Sequence, residues 1–368
     1  GATKNVKCTS APIAGTIIFK NATGALQGAA NENDAAAYIN WPNTGAFWTG
    51  GAGDQNWFTP ANWSTNAVPD TTTIVYLNHS ITTYTPAATP YTVNIASAGA
   101  VAKSVIIDKQ GGGAITLNLS GTGVLSVKNA FNNYTGNTVT MAAAADTINV
   151  GGAWSNSGTF TATNGTVKFN GTSGTNTISS GGSAFYNLQV SGAGATYVLA
   201  AAITVNNNLI ITDGTLDVTT GNYAIDVKGN WSVSGSGSFN PRIGTVTFSK
   251  AGAATQTITG GYFYNFTASN ATGSTNGVKQ LLSSATFLGS VNLPIGGGTV
   301  ELQAGSFDHY ISGNFTNSNA TTAFNKGTGT IYFNGTAAQT IGGSFITTFN
   351  NGTISGAGKK TIAFNASI

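Results

Sequence analysis

Three carboxylates, Asp213, Asp217 and Asp226, fall within 14 positions of a 368-residue chain. Carboxylates at such spacing could work as acid and base on a glycosidic bond, or bind calcium together. Either use requires all three to converge on one outward face beside a groove. The string TDGTLDV also has a plainer reading, in which Asp213-Gly214 makes a turn and Asp217 faces solvent. No basic cluster stands near them to stabilise an anionic intermediate. Asp308-His309 is the next pair to consider, but no G-x-S-x-G supplies a nucleophile elbow. His309 and His79 are the only histidines, too few for a typical zinc site, and both read as surface residues. The single cysteine, Cys8, cannot form an internal disulfide. The run Gly296-Gly297-Gly298 lacks the Lys-Ser/Thr of a phosphate loop. The chain therefore reads as a non-enzyme with no cofactor and no metal.

Binding is better served by aromatics. Tyr262, Phe263 and Tyr264 form a cluster that is paralleled by Phe185-Tyr186, and exposed aromatic rings can stack on sugars. Their recurrence in similar phrases equally suits core residues that the fold needs.

Composition sets the class of scaffold. Charged residues make up 7% of the chain, against about 25% in ordinary domains. Fifty glycines and many Thr, Asn, Ser and Ala residues take their place. Such residues suit turns and solvent-facing strand positions and form helices poorly. At 40% hydrophobic residues the chain can still bury a core. Its formal charge of +3 is scattered and includes one arginine, Arg242, so no footprint for nucleic acid emerges. No apolar run of about 18 residues is present to span a membrane as a helix.

Repeats organise the chain. GTVKFNGT begins at Gly165, GTVTFSKA at Gly244 and GTIYFNGT at Gly329, 79 and 85 residues apart. Each is preceded by a second phrase: GGAWSNSGTF from Gly151, KGNWSVSGSG from Lys228 and SGNFTNSNAT from Ser312. Each is followed by a third: NTISSGGSAFYNL from Asn176, QTITGGYFYNF from Gln256 and QTIGGSFITTF from Gln339. Within them, apolar and polar residues alternate, as in Thr245-Val246-Thr247-Phe248, which marks strands with one buried face. Gly- and Asn-rich turns separate the strands, and no linker separates the units.

These features predict an all-β fold, a right-handed parallel β-helix (β-solenoid) with coils of roughly 20 residues. Residues 1–40 remain unassigned. Residues 41–71 hold Trp41, Trp48, Trp57 and Trp63 and predict a Trp-rich N-terminal cap. Residues 72–368 form the solenoid, with units at about 150–227, 228–311 and an incomplete 312–368. That last unit suggests either a fragment of a longer protein or an end completed by another subunit.

The string WTGGAGDQNWFTPANWSTNAVPDTTTIVYL, from Trp48 to Leu77, resembles the start of bacterial repeat-rich β-helical surface proteins, including autotransporter-passenger-like domains and large adhesins. The phrases GNWS, GTVTF, TQTI, FYNF and GTLDV are similar to repeats in giant adhesins exported by type IX systems. The resemblance covers roughly residues 41–368. It implies an extracellular, cell-surface structural or adhesive protein, part of a fibre or large adhesin. Its partners would be other copies of itself, the rest of a larger surface protein, or surface glycans, with no nucleic acid and no membrane span. A self-polymerising filament or sheath subunit and a polysaccharide-active β-helix enzyme are the two alternatives.

Overall fold

A computed structural model describes residues 16–20, 26–31, 45–78, 88–109, 112–271, 276–363 and 366–367. Cys8, Trp41 and His79 lie outside these residues. Apart from an antiparallel pair, Thr16–Lys20 with Leu26–Asn31, every named strand pairing is parallel. The chain winds into about 12 stacked turns of a β-solenoid. The one helical segment among the described residues is a single 3-10 turn, Pro60–Asn62, and no helix is long and apolar enough to cross a membrane.

Each full turn carries three short strands. In one, Ser104–Asp108 lies on the first face, Ile115–Leu119 on the second and Val124–Val127 on the third. The period-two pattern then decides orientation. In Ile115–Leu119, Ile115, Leu117 and Leu119 are buried while Thr116 and Asn118 face outward. Stacking brings like onto like. On the first face Val105 pairs with Phe131, Phe131 with Trp154, and Trp154 with Ile178. These partners stand 26, 23 and 24 residues apart, so a turn is longer than the coil of roughly 20 residues that strand spacing predicted. The difference lies in the corners, where loops such as Ser249–Thr255 lengthen the path between strands.

Inside, one apolar column runs from Ala46 to Phe349. Aromatic rings thicken it: Phe131 stacks on Trp154 at 4.6 Å, and Phe263 on Phe287 at 6.0 Å. Outside, side chains on successive turns bond to one another. Asn118 Nδ2 donates to Asn94 Oδ1 (2.9 Å), and Thr140 Oγ1 donates to Asn118 Oδ1 (2.7 Å).

The sequence repeat and the turn are out of phase. Counting each leg of the two corner-rounding strands Asn187–Leu199 and Leu209–Asp217, and the bridge at Phe185, eleven strand positions separate Thr166–Phe169 from Thr245–Phe248. Eleven more lead to Thr330–Phe333. Eleven positions are three turns and two-thirds, so each copy falls one face behind the last. Trp154 lies on the first face, its counterpart Trp231 on the third, and Phe315 on the second.

Trp48, Trp57 and Trp63 lie against the first full turns. Trp48 meets Trp63 edge-on at 5.0 Å, and Trp57 meets Trp63 at 4.8 Å. Trp63 Nε1 donates to the Trp57 carbonyl at 2.8 Å, and the Trp57 N–H donates to the Asn94 carbonyl at 3.0 Å. Ala46–Phe47 already pairs with Val75–Tyr76, so the ladder begins within the tryptophan-rich segment.

Candidate functional site

The three carboxylates are used separately. Asp217 is 5% exposed rather than solvent-facing, which corrects the sequence expectation. Its oxygens accept from Arg242 Nε (3.1 Å) and Arg242 Nη2 (2.7 Å), from Asn240 Nδ2 (3.0 Å) and from the Thr219 N–H (2.6 Å). Burial pushes the Asp217 carboxyl up, but these donors outweigh it and hold it below the usual carboxylate range. Asp213 Oδ1 accepts the N–H of Gly214, which has a φ of +71°, and the strand Leu209–Asp217 rounds a corner there. Asp226 stands on a second-face strand, Ile225–Val227, and accepts from Ser249 Oγ at 2.5 Å. The three therefore do not share a common partner or face.

His309 is a second correction. It is 1% exposed, because its strand turns it inward in register between Ala285 and Ile331. Its Nδ1 accepts the Ala285 N–H (3.1 Å), which leaves Nε2 to donate to the Ala304 carbonyl (2.8 Å). Burial depresses its basicity and the ring sits neutral. Among the described residues no group of three His, Cys, Asp or Glu could hold a metal ion.

The aromatic cluster divides. Phe263 is fully buried in the column against Phe248, Phe266 and Phe287, so it contacts no ligand. Tyr264 is half-buried at a corner, and Tyr262 alone is 50% exposed on the first face. The outward companions of Tyr262 come from other turns. Tyr262 is in register with Thr286, Thr286 with Tyr310, and Tyr310 with Tyr332. The last two rings stack at 4.8 Å and 12°. Sequence reading missed this column because its members are far apart in the chain; the signal was a tyrosine at the outward position of three first-face strands.

A concave feature lies elsewhere, at the corner between the third face and the first. A groove of about 720 Å³ is lined by Ser126, Lys128, Asn129, Asn149, Asn170 and Asn176 among others, over a glycine floor. It adjoins a smaller hollow of about 300 Å³ formed with Thr71, Thr72 and Lys103. The corner backbones are bonded in series: Lys103 N–H to the Thr73 carbonyl, Asn129 N–H to Lys103, and Gly152 N–H to Asn129. The groove therefore runs along the solenoid axis. A Cβ at Gly151 would collide with the Lys128 carbonyl, so the floor carries no side chains. Sequence reading singled out none of these residues, since nothing local marks a corner as open.

Set against known proteins, the chain matches no family, no curated relative and no solved structure.

Proposed function

We propose that this chain is an extracellular structural and adhesive rod of a bacterial cell surface, a segment of a fibre or large adhesin. The observation that carries the reading is the unbroken parallel ladder of about 12 turns around one apolar column. Stacked at about 4.8 Å per turn, the turns give a rod near 60 Å long. Each turn shares backbone hydrogen bonds with both neighbours, so a pull along the axis is spread over many bonds. Neutral outward side chains such as Thr116, Asn118 and Thr140 leave little repulsion between rods packed side by side. The layer of Trp48, Trp57 and Trp63 serves in this reading as the cover of one end.

Negative-stain microscopy of the purified chain, with labelling of intact cells by a specific antibody, tests the proposal. Rods near 60 Å long and label on the cell exterior support it. Label confined to the cell interior overturns it.

A further inference from the structure

The three sequence units build equivalent corners, on different edges of the solenoid, in two ways. In the second unit, Gln256 points inward and its Nε2 donates to the carbonyls of Val227 (2.7 Å) and Gly229. In the third unit, Gln339 does the same to Ile311 (2.8 Å) and Gly313 (2.5 Å). In both, an asparagine closes the corner edge: Asn230 Oδ1 accepts the Thr257 N–H, and Asn314 Oδ1 accepts the Thr340 N–H. The first unit has Ala153 where the others have Asn230 and Asn314, and Asn176 where they have Gln256 and Gln339. Both replacements shorten a side chain. The Tyr197 hydroxyl, two turns on, reaches the carbonyls of Val150 and Gly151, at 3.4 Å each. Ala153 and Asn176 both line the groove. The first unit thus departs from its sister units at two positions that line the groove.

We infer that this groove is a binding site for an anionic oligosaccharide. Its walls present the hydrogen-bonding groups that sugar hydroxyls require: the carboxamides of Asn129, Asn149 and Asn170, and the hydroxyls of Ser126, Thr172 and Ser173. Lys103 and Lys128 are exposed at one end and supply two positive charges for a carboxylate or sulfate. Asp70, next to Thr71 and Thr72 of the smaller hollow, is an exposed carboxylate that accepts from the hydroxyls of Thr72 and Thr73, at 2.7 Å each. An axial span of about four turns, roughly 15–20 Å, suits a linear chain rather than a compact ligand. The inference deepens the adhesive reading above by naming the partner's chemistry, and it rests on that reading only for the ligand's place outside the cell.

The test is calorimetric titration of the full chain with an oligogalacturonate hexamer, a sulfated glycosaminoglycan hexamer and cellohexaose. At least one anionic chain is expected to bind, and the neutral one at least tenfold more weakly. The variant A153N installs the side chain that both other units carry at this position, so the turn should hold its shape and bind the ligand more weakly. Retention of its circular dichroism and melting temperature checks the first point. K103Q/K128Q, which alters only exposed side chains, should weaken anionic binding at least tenfold and flatten its salt dependence. Preference for carboxylated or sulfated chains identifies the anion. Unchanged affinity in a folded A153N, equal binding of cellohexaose, or no binding of either anionic chain at millimolar concentration overturns the inference. Any of these would leave the rods and the cell-surface label of the preceding test intact, so the two proposals fail separately.

Discussion

Gln256 and Lys279 stand in register on consecutive turns and jointly fill one corner of the solenoid. Gln256 bonds the carbonyls of the turn before, while Lys279 Nζ donates to the Lys250 carbonyl at 2.8 Å. Gln339 and Lys360 repeat the pair, with Lys360 Nζ donating to Gly335 (2.7 Å) and Gly358 (2.9 Å). Lys279 has no solvent exposure. Burial, with a smaller contribution from the Lys250 charge, draws its amine down to about 8.

That depression fixes the sign of a pH dependence. An unfolded lysine titrates near 10.4, so between about 8 and 10.4 the unfolded chain binds more protons. Stability should climb as pH rises through this window and be flat just below it. K279M removes the buried charge. It is expected to raise stability at pH 7 by about 1–3 kcal/mol and to abolish the rise. Urea denaturation at pH 7 and pH 9.5 reads both effects; a less stable K279M would mean that the bond to Lys250 outweighs the burial of charge.

His309 predicts a second window at lower pH. Its folded form is neutral and resists protonation, whereas an unfolded histidine charges near 6.5. Stability should fall as pH drops below about 6.5 and level off once the folded ring also titrates. H309Q is expected to lose part of this slope while costing stability at pH 8, because the bonds to Ala285 and Ala304 change. Thermal melts at pH 5, 6.5 and 8 test it.

Asp217 and Arg242 form the one ion pair among the described residues. Since Asp217 is held below its usual range, the pair stabilises the fold at neutral pH and fails as acid protonates the carboxylate. R242A strands a buried carboxylate. It should lower the melting temperature at pH 7 more than at pH 3, and D217N/R242A should recover part of the loss. Equal losses at the two pH values would rule out this account.

Trp63 lies between Trp48 and Trp57 and donates its indole N–H to the Trp57 carbonyl. W63A should cost about 3–5 kcal/mol, as expected for a buried indole. In a stack of near-neighbour contacts the loss should stay local. Hydrogen exchange is expected to quicken at Trp57 and Asn94 while Tyr332 and Phe333 keep their protection. Uniform loss of protection would show a cooperative unit longer than the first turns.

Tyr310 and Tyr332 form an outward stack, with ring centres 4.8 Å apart. Y310S/Y332S should cost no more than about 1.5 kcal/mol. If the first face is adhesive, the same variant should reduce attachment of protein-coated beads to glycan surfaces severalfold. Full attachment would restrict adhesion to other faces.

Much of the fold is legible in the amino-acid order. Alternation in Ile115–Leu119 or Thr245–Phe248 fixes which side chains turn inward, because a strand has period two whatever it pairs with. Scarce charge, frequent glycine and three recurring phrases call for short strands and tight turns, and the lack of linkers between units favours a solenoid over an array of antiparallel sandwiches. What the order of residues could not decide was phase. A repeat of eleven strand positions in a three-sided coil steps one face per copy, so Trp154, Trp231 and Phe315 look alike in sequence and point from three sides. Tertiary stacking alone brought Tyr262, Tyr310 and Tyr332 onto one column and turned His309 inward. It also drew Arg242 onto Asp217, 25 residues away, because neighbours across turns are set by the length of each corner loop. The groove follows the same logic: Ala153 and Asn176 are unremarkable until the stack sets them against Gly151, Asn170 and Lys128.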